Sequence, residues 1–363
     1  MNGNLEQAKT FFLDGVRHYE EGRLPQAEQQ FAAALALAPG RPSVLTNLGA
    51  VRLQLGRTEE ALALLEEAIA SEPDNAEALG HCGTALAELG RLAPALAMFD
   101  RALAQDPGKA VVWRMRGSVL KELGRNEEAA KSFREAQARG DSPELIAYYL
   151  AGVEAAEAPR QAPRSYVAAL FDGYAGQFDS HLVEALRYDA PKVLADRIAA
   201  GGRRFAHALD LGCGTGLCGR LLRPMVDRLT GVDLSANMLE RAAGLGVYDA
   251  LLLGDVSEFL ATSTDTYELV VAGDVFVYVG ALDEVFAQVA RRMVPGGVFA
   301  FTLEESAGPE LELRPSLRYA HSEQGVRRLA QAHGFRVTAL ERRPVREDQR
   351  RPIPGLFCWL ERS

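Results

Sequence analysis

The chain has little of what would staple or anchor it from outside. Only four cysteines occur in 363 residues (Cys82, Cys213, Cys218 and Cys358). None stands at a disulfide-framework or metal-ligand spacing, which excludes a cystine scaffold and a zinc module and fits a reducing cytoplasm. No run reaches the roughly 18 consecutive apolar residues of a membrane span, and Met1 to Thr10 lacks a charged-then-apolar leader pattern. A basic excess is missing too: 40 Lys and Arg against 49 Asp and Glu give −9. That balance argues against a nucleic-acid-binding surface, though not against a local basic pocket. A cytoplasmic protein with no membrane, nucleic-acid or metal partner is expected, long enough for two domains of roughly 100–200 residues each.

What is present begins with a repeat. Glycine recurs at Gly15, Gly49, Gly83 and Gly117 and again at Gly22, Gly56, Gly90 and Gly124. Alanine recurs at Ala27, Ala61, Ala95 and Ala129 and at Ala34, Ala68, Ala102 and Ala136. Phe31, Leu65, Phe99 and Phe133 hold one bulky site, Phe11, Leu45, Leu79 and Trp113 another, and Pro39, Pro73 and Pro107 close the first three units. Small residues at one phase and bulky ones at another suit a helical hairpin whose two helices touch at the small positions. This pattern resembles four tetratricopeptide repeats (8–41, 42–75, 76–109 and 110–143), each too small to bury its own apolar face and so dependent on stacking. Pro143 to Leu150 reads as the capping helix, with Ser142 as its N-cap and Pro143 in the first turn. The repeat domain then spans 1–156. Its concave face is expected to carry Phe12, Thr46, Gly80, Arg114, Val16, Ala50, Thr84 and Ser118, a small and mixed set. It would serve a protein or peptide partner, a second copy, or only packing.

Glu157 to Arg164 is a proline-bearing, apolar-poor junction, read as a linker ahead of a second domain over 165–363. There an apolar run from Phe205 ends in Asp210-Leu211-Gly212-Cys213-Gly214-Thr215-Gly216-Leu217, which reads as strand, tight turn and helix start. Glycines let the backbone turn sharply and approach a ligand, with the N–H groups of the new helix facing it. A dinucleotide fingerprint counted from Gly212 would want a small residue at position 217, which is Leu217.

The D-x-G-x-G-x-G spacing instead resembles motif I of class I S-adenosylmethionine-dependent methyltransferases. Asp233 closes a second apolar run, and Asp233-Leu234-Ser235-Ala236-Asn237-Met238-Leu239 is similar to that family's following segment. Ala250 to Val256 looks like its third strand with Asp255 at the end, Tyr267 to Gly273 like its fourth with Asp274 at the end, and Val294-Pro295-Gly296-Gly297-Val298 like its turn into the fifth. The resemblance implies a Rossmann-like domain with a seven-stranded, mostly parallel sheet and an antiparallel ending, behind an α-solenoid. Helix 322–332, strand 335–341, a proline- and arginine-rich loop and strand 356–361 would complete it.

The cofactor so implied is S-adenosylmethionine. Asp210 would help hold its methionine amino group, Gly212, Cys213, Gly214, Thr215 and Gly216 the turn, Asp233 and Leu234 the ribose, and Asp255 with the Val256 backbone the adenine. Met238 would pack near adenine or in the core, and Asp274 would border the site. Phe171-Asp172 and Phe178-Asp179 resemble a repeated pair in an N-terminal lid, with Tyr174 and Phe178 folding over the cofactor. Asp274-Val275-Phe276-Val277-Tyr278 lacks the paired prolines of N/D-P-P-Y, which speaks against amino-group methylation of DNA or protein glutamine.

Candidate catalytic residues are His321, as a base or a satisfied structural histidine, and Tyr278. Arg318 and Tyr319 are candidates for substrate contact, as is Arg346 on the loop joining the last strands, where a solvated position is the alternative. Methyl transfer to a small molecule is the expected function. The alternatives are a protein substrate recruited by the repeats and a cofactor-binding scaffold without turnover.

Overall fold

A computed structural model describes residues 2–154, 158–174, 188–308, 311–348 and 351–363. The chain divides into two compact units, Met1–Ala155 and Ala156–Ser363. The first is built of hairpins: α1 (Asn2–Glu20) with α2 (Leu24–Leu37), α3 (Pro42–Gln54) with α4 (Thr58–Ser71), α5 (Ala76–Glu88) with α6 (Leu92–Gln105), and α7 (Ala110–Glu122) with α8 (Asn126–Ala138), followed by α9 (Pro143–Ala151). The repeated turn glycines Gly22, Gly56, Gly90 and Gly124 all have φ between 70° and 73°. Each lets the next arginine's N–H reach back to the preceding helix, as in Arg57 N to Arg52 O and Arg91 N to Leu86 O, both 2.8 Å. The other glycine series marks where the helices touch. A Cβ on Gly15, Gly49, Gly83 or Gly117 would lie 2.5–2.8 Å from Phe31, Leu65, Phe99 or Phe133.

α9 caps the stack: Ser142 Oγ accepts from Leu145 N at 3.3 Å, and Tyr149 stacks on Phe133 with centroids 4.9 Å apart. The concave face expected from the first helices is less open than the sequence suggested. Thr46 and Ala50 are buried, Arg114 is paired with Asp141 at 2.8 Å, and the Thr46, Thr84 and Ser118 hydroxyls donate to carbonyls four residues earlier. Successive first helices approach closely enough to cover these small side chains.

In the second unit, α10 (Arg164–Tyr174) and α11 (Ala190–Ala200) precede β1 (Phe205–Leu211), α12 (Leu217–Leu222), β2 (Val226–Asp233), α13 (Ala236–Gly244), β3 (Ala250–Leu253), α14 (Val256–Thr262) and β4 (Tyr267–Ala272). Then follow α15 (Asp283–Arg292), β5 (Met293–Glu305), β6 (Leu311–Leu313), β7 (Tyr319–His321), α16 (Glu323–Ala332), β8 (Phe335–Asp348) and β9 (Arg351–Arg362). Strands β3-β2-β1-β4-β5 are parallel, β9 runs antiparallel beside β5, and β8 pairs with β9. Alternation along each strand feeds two cores. Leu209, Leu211, Phe299 and Phe301 meet α14, α15 and α16, while Ala208, Leu269, Phe357 and Trp359 meet α11 and α12. Helical repeats ahead of a mixed, Rossmann-like sheet with antiparallel last strands are the fold class the sequence implied.

Three details depart from the expectation. The described sheet has nine strands, not seven. β5 outruns β4, and its last residues, Glu304 and Glu305, pair with Ala320 and His321 of β7, to which β6 is antiparallel. The proline- and arginine-rich loop is instead the far part of the β8–β9 hairpin. Pro344 faces Pro354, and a register shift between Pro344 and Arg346 turns both Val345 and Arg346 inward. The junction is held as well: Ala162 N donates to Tyr278 O at 2.9 Å, Ala281 N to Arg160 O at 2.7 Å, and the Tyr319 hydroxyl to Pro159 O at 2.6 Å.

Candidate active site

The chain proceeds from β1 outward through β2 to β3, then crosses back to β4 on the other side of β1. At that reversal the loops after β1 and β4 stand side by side at the carboxyl ends of the strands, where open sheets of this kind take their ligands, and a Cβ on Gly212 would come within 2.4 Å of Val275. The turn after β1 lies there. Gly212, Gly214 and Gly216 have φ of 63°, 53° and 93°, a backbone that side-chain-bearing residues rarely adopt. Cys213 N donates to Val232 O at 3.0 Å, tying the turn to β2. Cys213 and Thr215 are buried, and burial with nearby carboxylates pushes the Cys213 thiol far up, so it stays protonated.

Asp233 ends β2 and is 8% exposed as a residue. Its Oδ2 accepts from Gly214 N at 2.8 Å and its Oδ1 from Ser235 N at 2.9 Å. Burial raises its pKa, against the pull of these backbone donors. Leu234 is half-buried, and Met238, fully buried, donates its N–H to Ser235 Oγ at 3.1 Å at the start of α13. Asp255 caps α14: its Oδ1 accepts from Ser257 N and Glu258 N at 3.0 and 3.1 Å, with Val256 beside it at the helix start. Both capping bonds and a 3.5 Å approach of Arg164 use Oδ1, so Oδ2 has no protein partner among the described residues.

Asp210 is 1% exposed and accepts a 2.7 Å hydrogen bond from the Tyr248 hydroxyl. Burial pushes its pKa up to about 7, partly offset by that bond. Tyr248 escaped the sequence reading. Its ring fills space that a Cβ on Gly219 or Gly231 would enter to 2.3 and 2.9 Å, and one on Gly216 to 3.2 Å. Glycine at these positions was the available signal that a ring lies beneath the turn.

The first half of the aromatic segment reaches the same place. Asp172 Oδ1 accepts from the Ser235 hydroxyl at 2.5 Å, and Asn237 Nδ2 donates to the Asp172 carbonyl at 3.1 Å. Phe171 meets the Tyr278 ring edge-on at 5.5 Å. Tyr174 is the last residue of α10; its side chain, and Phe178 with the second Phe-Asp pair, lie outside the described residues.

On the other side of β1, Asp274 follows β4 with φ 58°, and its N–H donates to Thr302 Oγ1 at 2.8 Å. Its carboxylate accepts twice from Arg346, at 2.6 and 2.8 Å. Arg346, expected on a loop, is 2% exposed and also pairs with Glu304, which in turn accepts from Arg314 at 2.6 Å. Glu304, Arg314 and Thr302 carried no sequence motif and emerge only from the fold. Arg318 is half-buried near Tyr278, and the charges of Asp274 and Glu304 together with Tyr278 hold its guanidinium charged. Tyr319 is fully buried, and His321 is 4% exposed, its Nε2 donating to Gly280 O at 2.9 Å. Burial pushes the His321 pKa down to about 4. The structure thus brings the turn, Asp210, Asp233 and Asp255 to the carboxyl ends of β1, β2 and β3 and Asp274 and Tyr278 to the loop after β4, while Tyr319, His321 and Arg346 lie inside the fold.

Residues 209–301 match the family described as a methyltransferase domain, and residues 18–80, 52–119 and 110–139 match tetratricopeptide repeats. The chain carries tetratricopeptide repeats and a methyltransferase domain. The cofactor of such a domain is S-adenosylmethionine. Among curated relatives, malonyl-[acyl-carrier protein] O-methyltransferase of Salmonella typhimurium is 31% identical over 152 residues, 42% of this chain and 59% of the relative. The mitochondrial arginine-hydroxylase NDUFAF5 of Homo sapiens is 31% identical over 140 residues, 38% of this chain and 40% of the relative. The chain thus spans less than two thirds of the length of these relatives. Magnesium protoporphyrin IX methyltransferase of Synechocystis PCC 6803, solved with bound SAH, aligns at 14% identity and a TM-score of 0.44 over 55% of this chain and 99% of its own.

The residues present fit the cofactor. The methyltransferase domain's turn offers left-handed glycines without side chains, Asp255 has an uncommitted oxygen for an adenine amino group, and Asp233 is a carboxylate at the end of β2 for ribose hydroxyls. Asp210 at 1% exposure sits beneath the turn rather than on it, with its carboxylate on the Tyr248 hydroxyl.

Proposed function

We propose that this protein transfers the methyl group of S-adenosylmethionine to a small-molecule acceptor. The observation that carries the reading is the meeting of Asp233, Asp255 and the three-glycine turn at the carboxyl ends of β1, β2 and β3, with the Phe171-Asp172 pair of α10 placed beside them. Bound there, the cofactor supplies an electrophilic methyl on a sulfonium. The protein's part is to align the acceptor and exclude water, and alignment alone can lower a barrier by ~7–11 kcal/mol. Phe171, lying against Tyr278 while its neighbour Asp172 holds Ser235, links the cofactor wall to the acceptor wall. That supports a cover that assembles both halves of the site.

The loop Asp274 to Tyr278 supports a small acceptor through what it does not contain, a proline pair to receive a flat amide or base. The two relatives named above carry out different reactions, so neither acceptor transfers to this chain. Tetratricopeptide repeats support an interaction with a protein, a peptide or a second copy, and Met1–Ala155 is assigned that part. The test is incubation of the full chain with methyl-labelled cofactor and cell extract, followed by separation by size. Label in the small-molecule fraction supports the reading; label in protein would give the reaction to a substrate recruited by the repeats. Binding of cofactor without transfer of label would leave a scaffold.

A further inference from the structure

We infer that Tyr248 is a positioning residue of the cofactor site: from beneath the three-glycine turn its ring supports the turn's backbone and its hydroxyl fixes the Asp210 carboxylate. The inference rests on S-adenosylmethionine binding at this turn, and it adds to the site a residue that no motif marks.

Glycines from the turn, α12 and β2 face one ring. A Cβ on Gly216 would lie 3.2 Å from Tyr248 Cε2 and 2.7 Å from Leu245 Cδ1, one on Gly219 2.3 Å from Tyr248 Cζ, and one on Gly231 2.9 Å from Tyr248 Cε1. Gly231 stands beside Asp210 in the pairing of β1 with β2. The ring therefore fills the space that side chains at these positions would take. A turn of glycines has no side-chain packing of its own, so in a close-packed interior what lies beneath it sets where its backbone stands.

The support is itself fixed. Gly246, with φ 63°, turns the chain after α13. Arg223 Nη1 then donates to Val247 O at 3.3 Å and to Asp249 Oδ2 at 2.6 Å. Asp249 N donates to Leu229 O at 2.9 Å, and Leu229 N returns a bond to Asp249 Oδ2 at 2.7 Å. Both sequence neighbours of Tyr248 are thus tied to β2 and the chain entering it, which holds the ring in place under the turn.

The hydroxyl has a separate task. Asp210 is 1% exposed, and among the described residues its hydrogen-bond donor is Tyr248, 2.7 Å from Oδ2. The other titratable groups around it are Asp233 at the end of β2, Cys213 in the turn, Cys218 in α12 and Tyr188 ahead of α11. Burial pushes both thiols and both phenols far up, so they stay neutral, and Asp233 is a like charge. The ionised form of Asp210 is thus favoured by one contact, the Tyr248 hydroxyl, against burial and against Asp233. S-Adenosylmethionine carries a sulfonium and an ammonium. A cation bound near a carboxylate favours its ionised form, so binding and ionisation assist each other. Without the hydroxyl, Asp210 holds its proton to higher pH and meets the cofactor uncharged.

The test is calorimetric titration of the full chain with S-adenosylmethionine between pH 6 and 9, for the wild type and for Tyr248→Phe, which keeps the ring and removes the hydroxyl. Losing a hydrogen bond to a charged group should move the Asp210 pKa up from about 7 by roughly 1–2. The variant should then bind roughly 5–50-fold more weakly at pH 7 and within about twofold of the wild type at pH 9. In an Asp210→Asn background the same substitution should leave affinity unchanged. A tyrosine that only fills space would give a loss that is constant with pH and persists without Asp210, and either result overturns the role of the hydroxyl. Tyr248→Leu, which removes the ring, should bind more weakly than Tyr248→Phe at pH 9; equal affinity of the folded variant there overturns the support of the turn. A wild-type chain that takes up no S-adenosylmethionine at any pH removes the placement of the cofactor itself, and this inference with it.

Discussion

Asp210→Asn should make the second unit more stable, and more so as pH rises. Asp210 is 1% exposed, and burial lifts its pKa from an ordinary 3.8 to about 7. Between those values the folded chain holds a proton that the unfolded chain has released, so stability falls as pH rises and the loss is complete above pH ~7. At 1.36 kcal/mol per unit the whole loss is about 4 kcal/mol, of which about 2.5 falls between pH 5 and 7.5. Asparagine removes the titration and can still accept from the Tyr248 hydroxyl, so any cost of the amide is a constant offset. The protein has two tryptophans, Trp113 in the repeats and Trp359 buried in β9, so a Trp113→Phe background makes fluorescence report the second unit alone. For a unit of about 200 residues, 1 kcal/mol moves Tm by roughly 2–4 °C. The Tm of Asp210→Asn minus that of its parent should therefore grow by roughly 5–10 °C from pH 5 to pH 7.5. A difference that stays flat with pH would refute the buried, proton-holding carboxylate.

Three further outcomes are expected. Asp233→Ala should weaken S-adenosylmethionine binding by about 1.5–3 kcal/mol through lost charged hydrogen bonds; equal affinity of a folded variant by calorimetry would remove Asp233 from the ribose. Gly117→Ala places a Cβ 2.5 Å from the fully buried Phe133 ring, itself stacked on Tyr149. Overpacking of ~1–3 kcal/mol outweighs alanine's gain in helix propensity, so Trp113 fluorescence should show a lower Tm, and an unchanged or raised one would contradict the contact. Arg346→Met leaves Asp274 and Glu304 buried without their partner and should cost ~3–5 kcal/mol in the second unit, read by Trp359; wild-type stability would show that the pairs are dispensable.

The repeat and the glycine turn could be read from the sequence because both are local. A glycine that must take positive φ, or that must make room for Phe133 one helix away, leaves its mark at a fixed spacing whatever the rest of the chain does. The order of strands and helices likewise follows from runs of apolar residues. The partners of the loop after β4 left no such mark. Arg346 looks like a loop residue beside Pro344, Pro352 and Pro354 until a register shift in the β8–β9 hairpin turns it inward onto Asp274 and Glu304, 72 and 42 residues away.

The same holds for His321, which reads as a possible base and is settled by the strand pairing that buries it beside Gly280. Tyr248 is visible only through the glycines that admit its ring. By itself the amino-acid sequence determined the two kinds of architecture, the hairpin contacts and the turn, since each depends on residues within one or two elements. Only the tertiary structure decided which charges are spent on one another. Pairing depends on distance in space, and the residues that neutralise Asp274 and Glu304 come from strands and turns that the chain brings together only once the sheet has closed.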